Sequence, residues 1–379
     1  MTIQVCHLIT DLDRGGAERS LVNLILGSDA AQLRHEVVCL IEPGPMAKPL
    51  VEAAIPVTTL GMRRGKWSLT GLLRLIRHLR TTRPAILHTW LYHADLVGTA
   101  ASWFTPSEVL LWNVRCSDTT SASADRSLHF LVRTLSLLSG FPRAIVVNSR
   151  RGKIDHQALG YRPKAWAEIP NGVDLSRFRE RRSERAALRA RLGLDPGGIV
   201  IGLVARYDPM KDIDTFLRAA SLFAQRARAQ FVLCGVGFSD DNRSLTDAIA
   251  ELGLNGRVVL LGPQPYPEDI YPALDVFSLC SISEGFPNVL CEAMACGIPC
   301  VATDAGDSAE IIGDCGLVVP MRDPQALAQG WQRLLDQDSE AVGARARARV
   351  TARYSLERMC DDYRSFYQSI VVNEVEASP

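Results

Sequence analysis

Short apolar segments alternate with helical segments along the whole chain, and this alternation is the feature that most constrains the fold. Each apolar segment is hydrophobic on both faces, which is typical of parallel strands buried between helices. Those in the first half are Gln4–Ile9, Glu36–Ile41, Ala85–His88, Val109–Val114 and Ala144–Asn148. Those in the second half are Ile199–Ala205, Gln230–Cys234, Val258–Leu261, Val276–Cys280 and Pro299–Thr303. The pattern predicts an α/β protein with two doubly wound, Rossmann-like domains.

The domain boundary is predicted from length and from turn-forming residues. The 379 residues fit two domains at roughly 100 to 200 residues each. Pro and an Asn-Gly pair interrupt regular structure within Ile169–Asp174, so a hinge is placed there. We predict a first domain at 1–172, a second at 173–355, and a C-terminal helix at 356–379 that packs back on the first. Ligands bind beyond the carboxyl ends of parallel strands, so the domains are expected to face each other across a cleft.

Composition and charge exclude several classes of protein. Hydrophobic residues make up 47% and charged residues 22%, which excludes disordered and collagen-like chains. Lys plus Arg equals Asp plus Glu at 42 each, so the total charge does not favour a nucleic-acid partner. Residues 1–179 nevertheless carry 22 basic and 14 acidic side chains, a net charge of +8, and the remainder carries −8. This asymmetry predicts that the first half faces something anionic.

Targeting signals and metal ligands are sparse in the sequence. Met1–Ile9 lacks the features of a signal peptide, and no later segment has about 18 uninterrupted apolar residues, so a cytoplasmic location is expected. Most of the ten cysteines lie in apolar segments, where Cys acts as a small hydrophobic residue. Cys296 and Cys300 approach metal-ligand spacing but lack a companion pair. We therefore predict no metal and no cofactor.

The segment after Val276–Cys280 combines features of an anion site with two carboxylates. A strand leads into a loop with Gly and Pro, and the loop leads into a helix whose first turn is predicted to hold Glu292. Backbone N–H groups at Asn288–Leu290 favour a phosphate group. Glu284 and Glu292 flank that position and can accept hydrogen bonds from sugar hydroxyls. The alternative is that Glu292 only complements the helix dipole and Glu284 is solvated; the combination of strand, loop, helix and paired acids favours function.

The segment Glu284–Val301 resembles the most specific motif of the retaining glycosyltransferases of family 4, which have the GT-B fold. That motif has two glutamates in an E-G-F-P-x-x-x-x-E-A-M-A-x-G-x-P-V setting, and this segment matches it nearly residue for residue. The resemblance extends over almost the whole chain. Further matching segments are Gly15–Arg19, Asn171–Asp174, Val204–Arg206, Lys211–Asp212, Gly235–Gly237, Ala305–Gly306, Glu310 and Gly316–Val319.

Arg206 and Lys211 match the basic pair of this family. The resemblance implies that both bind the diphosphate of a donor, where Arg supplies a planar fork and Lys a point charge that stabilise a leaving group. The alternative is a surface ion pair with Asp208 or Asp212, which contributes little to stability.

In the first domain, the glycine loop and two loops after strands are candidate ligand contacts. Gly16 permits close approach of phosphate or acceptor. The same turn raises the alternative of a nicotinamide-dependent oxidoreductase, but neither this loop nor the one at Gly235 reads G-x-G-x-x-G. Arg115, and Asp118 near it, follow a strand and are placed near the acceptor or phosphate by position alone.

A histidine-containing loop follows Ala85–Leu87. In the family, a histidine of this loop contacts the donor sugar or its phosphate. Versions that read His-x-His are common there, whereas Trp90 occupies the second position here, so His93 is the predicted contact. His88 is either a similar contact or a buried structural histidine.

The resemblance implies a retaining transferase that moves a hexose-type sugar from a nucleoside diphosphate sugar, with UDP-sugar favoured, to an acceptor hydroxyl. A glycan or lipid-linked acceptor in bacterial surface polysaccharide or lipid-linked glycan synthesis is expected. Predicted catalytic residues are Glu284, Arg206, Lys211 and His93. Predicted substrate contacts are Gly16, Arg115, Gly285, Phe286, Pro287, Asn288, Val289, Leu290 and Glu292. Alternatives are a hydrolysing nucleotide-sugar 2-epimerase of the same fold and a non-catalytic nucleotide-sugar binding protein.

A basic, leucine-rich segment at 63–80 has two interpretations. Its leucines recur at helical spacing and its arginines lie on a neighbouring face, with Trp67 at the start. Such a helix can rest on an anionic membrane surface and hold the first domain over a lipid-linked acceptor. In the other interpretation the leucines cover the domain's own sheet and the arginines face water.

Overall fold

A computed structural model of the chain describes residues 2–65, 68–105, 109–115 and 126–377, with side chains up to residue 372. The chain forms two compact units. Unit 1 comprises Met1–Gly172 and Leu356–Pro379, and unit 2 comprises Val173–Ser355.

Unit 1 is built on a seven-stranded parallel sheet. Its strands are β1 (Ile3–Ile9), β2 (Leu33–Cys39), β3 (Val57–Thr59), β4 (Ile86–Trp90), β5 (Val109–Val114), β6 (Ala144–Val147) and β7 (Trp166–Glu168). They lie in the order β3-β2-β1-β4-β5-β6-β7. The helices between them are α1 (Gly16–Gly27), α2 (Ala47–Glu52), α3 (Leu69–Thr82), α4 (Tyr92–Ser102), α5 (Arg126–Leu138) and α6 (Arg150–Ala158). The reversal of strand order between β1 and β4 is that of a doubly wound sheet.

Both faces of this sheet are covered, which explains why its strands are apolar on both sides. Val5 of β1 packs in one apolar cluster with Leu21 of α1. The next residue, Cys6, points to the opposite face and packs with Leu75 and Leu79 of α3. Alternate residues of one strand therefore enter two separate cores.

Unit 2 repeats the design with a six-stranded parallel sheet. Its strands are β8 (Ile199–Val204), β9 (Ala229–Cys234), β10 (Val258–Gly262), β11 (Val276–Leu279), β12 (Cys300–Thr303) and β13 (Leu317–Val319), in the order β10-β9-β8-β11-β12-β13. Its helices are α7 (Arg185–Arg191), α8 (Ile213–Ala224), α9 (Arg243–Glu251), α10 (Asn288–Ala295), α11 (Ser308–Ile312), α12 (Pro324–Leu335) and α13 (Ser339–Tyr354). Short 3-10 helices include Pro209–Lys211 and Tyr271–Ala273.

The final helix, α14 (Leu356–Ala377), belongs to unit 1. Its Met359, Tyr363 and Tyr367 are buried in the same apolar cluster as α1 and the facing side of β1. Gly27, the last residue of α1, lies so close to α14 that a Cβ atom there would be 2.8 Å from the Cys360 sulfur. The helix is thus part of the unit 1 core.

The predicted α/β class and the two doubly wound sheets are confirmed. Each predicted strand is present; Val109–Val114 has the predicted ends, and the others have an end shifted by one to three residues. The sequence pattern missed three strands, β3, β7 and β13, which have three residues each and lie at sheet edges. Short edge strands carry little of the buried apolar pattern on which the prediction depended.

Candidate functional site

The loops that follow β8 and β11 lie side by side because these strands are neighbours in the sheet of unit 2. The backbone N–H of Ile282 donates to the carbonyl oxygen of Met210 at 2.9 Å. The thiol of Cys280 donates to the carbonyl oxygen of Lys211 at 3.1 Å. These contacts hold the 3-10 helix after β8 against the loop after β11, and so bring two distant predicted residues together.

Lys211 and Glu284 form an ion pair at this position. The Lys211 Nζ atom lies 2.5 Å from Glu284 Oε1, and the Ser281 hydroxyl donates to the same oxygen at 2.7 Å. The Lys211 side chain is 20% exposed and that of Glu284 is 11% exposed. The structure therefore pairs Lys211 with Glu284, whereas the alternative weighed from the sequence was a pair with Asp212.

The backbone around Glu284 is fixed by a glycine on the neighbouring loop. Gly306 has a φ of +59°, and a Cβ atom there would lie 2.4 Å from the Glu284 carbonyl oxygen. The N–H of Asp307 donates to the carbonyl oxygen of Gly285 at 3.0 Å. Only glycine allows this approach of two backbone segments at a positive φ.

The position of Glu292 differs from the prediction in one respect. Helix α10 begins at Asn288, so Glu292 is its fifth residue, and the prediction of a place in the first turn is wrong. Glu292 is 6% exposed, and the hydroxyl of Tyr271 donates to its Oε2 at 2.5 Å. Burial, followed by the neighbouring Glu292 carboxylate, raises the pKa of Tyr271 well above its usual range. Tyr271 thus remains a donor that orients this carboxylate.

The remaining predicted contacts of this loop divide into buried and partly exposed residues. Phe286 is 8% exposed and meets Tyr354 edge to face, and Leu290 is fully buried in the core. Their side chains stabilise the loop from inside. Asn288 and Val289 are partly exposed at the start of α10. Pro287 precedes the helix and has no side-chain acceptor, so it does not cap the first N–H groups.

Arg206 lies two residues after the end of β8 with its side chain 74% exposed, and its Nη2 atom is 3.9 Å from Asp208 Oδ2. The contact with Asp208 is the surface pairing weighed as the alternative. The segment around Arg206 is fixed by the glycine turn after β9. Gly235 has a φ of +135°, and a Cβ atom there would overlap the Ala205 carbonyl oxygen. Arg206 therefore extends into solvent from a fixed backbone.

Two predicted contacts of unit 1 lie at the starts of helices. Gly16 is the first residue of α1 and is exposed, and His93 is the second residue of α4 and is exposed. Leu91, just before α4, has a φ of +71°, a conformation that non-glycine residues rarely adopt. The turn from β4 into α4 is thus sharp, and it presents His93 at the carboxyl end of the sheet.

The structure surrounds Arg115 with partners that the sequence did not indicate. Its guanidinium donates to Ser20 at 2.8 Å, to Tyr363 at 2.8 Å and to Asn113 at 3.0 Å. It also donates to Asn171, and it lies over the Trp90 ring at 4.5 Å from the centroid. Arg115 therefore links α1, β5, α14 and the segment that contains Asn171.

His88 is buried within β4 and belongs to the same polar network. It contacts the Tyr367 hydroxyl at 2.8 Å through Nδ1 and Asn113 at 3.3 Å through Nε2. Burial lowers the pKa of His88 well below its usual range. Of its two interpretations, the structure favours the buried structural histidine. Asp118, Lys66 and Trp67 lie outside the described residues.

Comparison with known proteins follows the same division of the chain. Residues 14–177 match the family described as "Glycosyltransferase Family 4", and residues 198–337 match "Glycosyl transferases group 1". The chain belongs to glycosyltransferase family 4. This confirms the resemblance on which the site residues were chosen.

Curated relatives include the D-inositol 3-phosphate glycosyltransferase of Rhodococcus erythropolis, 32% identical over 244 residues, which are 61% of this chain and 54% of that protein. A second, from Nocardia farcinica, is 40% identical over 162 residues, or 40% of this chain and 35% of that protein. The chain spans about half the length of the curated relatives it matches.

Solved structures confirm the GT-B fold. HepE of Anabaena in complex with UDP superposes with a TM-score of 0.84 at 22% identity, over 97% of this chain and all of that one. Sucrose-phosphate synthase of Thermosynechococcus elongatus superposes with a TM-score of 0.78 at 21% identity, over 98% of this chain and all of that one. At these identities the likeness establishes the fold.

Two partners of the predicted acids were missed from the sequence. Ser281 lies three residues before Glu284 in a loop, which is a spacing that permits such a bond but does not require it. Tyr271 lies in a separate 3-10 helix before β11, and no motif connects it with Glu292.

Proposed function

We propose that this chain is a retaining glycosyltransferase that moves a hexose-type sugar from a nucleoside diphosphate sugar to an acceptor hydroxyl. The observation that carries the proposal is the Lys211–Glu284 pair, held by Ser281 at the adjoining ends of β8 and β11. A cation and a carboxylate in contact offer one group for a phosphate and one for a sugar hydroxyl. Membership of family 4 supports the same reaction class.

A UDP-sugar is the proposed donor. Related structures support this choice, because HepE of Anabaena is described in complex with UDP and with UDP-glucose. A hydroxylated acceptor is supported by the curated relatives, which are named for D-inositol 3-phosphate. A glycan or lipid-linked acceptor in bacterial polysaccharide or glycan synthesis is the acceptor class that we carry forward from the sequence.

In the proposed reaction the bond between the anomeric carbon and the diphosphate breaks while the acceptor oxygen bonds to the same face of that carbon. The departing phosphate oxygen takes the acceptor's proton. Lys211 and Arg206 stabilise the negative charge that develops on the diphosphate. Glu284 accepts a hydrogen bond from a donor-sugar hydroxyl, and Glu292 accepts one from the ribose. Gly16 and His93 remain predicted contacts of the donor or the acceptor.

Positive charge from Lys211 and Arg206 takes the place of a divalent ion in this scheme, so we propose a metal-independent transfer. The test is a reaction of the full chain with UDP-, GDP- and ADP-sugars, with and without added Mg²⁺ or Mn²⁺. We expect release of UDP that depends on an acceptor, a product of retained anomeric configuration, and less than about twofold stimulation by the ions. Inversion, or free 2-epimerised sugar without an acceptor, would refute the proposal.

A lipid-linked acceptor requires access to a membrane surface, and we propose that α3 supplies it. Leu69 and Leu73 of α3 are 73% and 56% exposed, and the exposed Arg77 lies on the same helix, whereas Leu79 is buried in the core. An exposed apolar and basic helix face suits anionic headgroups. Among the helices that the structure describes, none combines the length and hydrophobicity of a membrane span.

Vesicle cosedimentation tests this contact. The full chain is expected to sediment with anionic but not neutral vesicles, and a Leu69→Ser/Leu73→Ser variant is expected to remain in solution. Val51, which is 61% exposed on α2, offers the control substitution Val51→Ser. Equal sedimentation of all three proteins would exclude α3 as the contact.

A further inference from the structure

Three residues with metal-ligating side chains, to which no role in sugar transfer is assigned, come together on one face of the unit 1 sheet. Cys6 of β1 and Glu36 of β2 are paired in the sheet register, so their side chains leave the same face. Helix α3 covers that face, since Leu75 and Leu79 pack in the same cluster as Cys6. His78 of α3 lies between these two leucines in sequence.

The ligand atoms of the three side chains are close enough to share one ion. The Cys6 sulfur, a Glu36 carboxylate oxygen and a His78 ring nitrogen all lie within 4.8 Å of one another. His78 Nε2 and Glu36 Oε2 are 3.2 Å apart. Zinc is bound at about 2.0 to 2.3 Å by sulfur, nitrogen and oxygen ligands, so atoms that surround one zinc ion are separated by distances of this order.

Two of these atoms are buried without the hydrogen bonds that buried polar atoms normally make. Glu36 is 8% exposed, and within the described part of the chain neither its Oε1 atom nor His78 Nε2 has a hydrogen-bond partner. The 3.2 Å approach of Nε2 to Oε2 does not have the alignment of a hydrogen bond. Buried polar atoms left in this state destabilise a fold unless something else binds them.

We propose that Cys6, Glu36 and His78 bind a divalent cation of the zinc class. A thiolate, an imidazole and a carboxylate form a ligand set of intermediate softness, which suits Zn²⁺ better than Mg²⁺ or Ca²⁺. On binding, the Cys6 thiol releases its proton to solvent, and the two negative ligands neutralise the charge of the ion. The ion satisfies the Glu36 and His78 atoms and ties β1, β2 and α3 together.

The sequence did not predict this site because its ligands lie far apart in the chain. Cys6, Glu36 and His78 do not form any short spaced motif, and only the register of β1 with β2 and the packing of α3 bring them together. The proposed ion stabilises unit 1 and is distinct from the metal-independent chemistry proposed for the donor loops in unit 2.

Metal content of the purified full chain tests the proposal. After exposure to Zn²⁺ and gel filtration, elemental analysis is expected to give about one zinc per chain. Cys6→Ser and His78→Gln are each expected to lower bound zinc at least fivefold. Cys39 is the matched control, because it is another buried cysteine of the same sheet, outside the cluster, and Cys39→Ser should keep the full content.

Cobalt substitution of the unaltered chain gives a second readout that does not depend on a variant that folds. Co²⁺ is expected to produce d–d absorption together with a thiolate charge-transfer band, and Zn²⁺ is expected to displace both. His78→Gln alters a partly exposed helix residue, so it keeps the core packing if Cys6→Ser unfolds. A folded chain without stoichiometric zinc or a thiolate–cobalt band would overturn the proposal, as would equal zinc content in His78→Gln.

Discussion

Lys211 of unit 2 and Arg115 of unit 1 are both cations at the carboxyl edge of a parallel sheet, yet their surroundings differ. Lys211 is held mainly by one carboxylate, that of Glu284, at a partly exposed position. Arg115 donates to four side chains, which lie on α1, on β5, on α14 and at Asn171. A place beyond a strand therefore does not by itself assign a role. The four partners of Arg115 tie together elements of unit 1, whereas the single carboxylate partner of Lys211 fits the role that we propose for it at the donor diphosphate.

The largest expected effect is on catalysis through Lys211. Lys211→Ala is expected to lower turnover by about 100- to 1000-fold, because it removes a charge that stabilises the departing diphosphate. Steady-state release of UDP measures this change. Lys153→Ala is the matched control, since Lys153 forms an equally short ion pair with Glu168 on unit 1. A change below threefold in Lys211→Ala would remove Lys211 from the reaction.

Arg115→Ala should act on stability instead. The substitution removes the four hydrogen bonds that Arg115 donates to buried side chains, so the free energy of unfolding is expected to fall by about 2 to 3 kcal/mol. Urea denaturation measures it, and UDP affinity should remain unchanged. Arg133→Ala, on the exposed side of α5, should stay within about 0.5 kcal/mol of the unaltered chain. If Arg115→Ala instead abolished transfer in a fully stable protein, the prediction that Arg115 contacts the substrate would be supported.

The two glutamates of unit 2 should separate binding from transfer. Glu292→Gln is expected to weaken UDP binding about tenfold, the equivalent of one charge-assisted hydrogen bond to the ribose. Glu284→Gln is expected to slow transfer while leaving affinity for free UDP nearly unchanged. Calorimetric titration with UDP distinguishes them. Identical losses of UDP affinity would show that both carboxylates serve the nucleotide.

Acid should weaken unit 1 through its buried histidines. Burial lowers the pKa of His35 from 6.5 to about 4. Between pH 6.5 and pH 4 the unfolded chain binds a proton at His35 that the folded chain does not. The part of the unfolding free energy that depends on neutral His35 is therefore fully present above pH 6.5 and is lost as pH falls toward 4. His35→Gln should remove a slope of about 1.4 kcal/mol per pH unit from the unfolding free energy.

Hydrogen exchange in the two units provides the control for this pH effect. Unit 2 contains no histidine, because none occurs in residues 173–355. The amides of β1 and β4 should therefore lose protection against hydrogen exchange as pH falls from 6.5 to 5, and His35→Gln should make this loss smaller. The amides of β8 should show no such loss in either protein. An unchanged pH slope in His35→Gln would show that His35 is accessible to protons in the folded state.

The fold was predictable because buried parallel strands leave a strong local pattern. Segments such as Val109–Val114 are apolar on both faces and match the observed strand residue for residue. The edge strands were missed because a partly exposed strand of three residues is too short to show the apolar pattern of a buried strand. The start of α10 was predicted near Asn288, where the helix begins, but Glu292 is its fifth residue and lies just beyond the first turn in which it was predicted.

The candidate site was predictable only where its residues lie in one motif or match a family pattern. Glu284 and Lys211 were identified that way, but their direct contact depends on β8 and β11 being neighbours. Tyr271 and three of the four partners of Arg115 come from segments remote in sequence, as Tyr363 illustrates. Polar residues within helices carry no local signal of what they contact.

The return of α14 to unit 1 has a consequence for the order in which the protein is synthesised. Unit 2 is continuous in the chain, whereas unit 1 lacks Tyr363 and Tyr367 until its last helix has been made. During translation, Arg115 and His88 therefore lack their partners Tyr363 and Tyr367 while all of unit 2 emerges. The ribosome thus releases a chain whose second unit matures first, and a nascent chain stopped at residue 355 would hold a finished unit 2 beside an open unit 1.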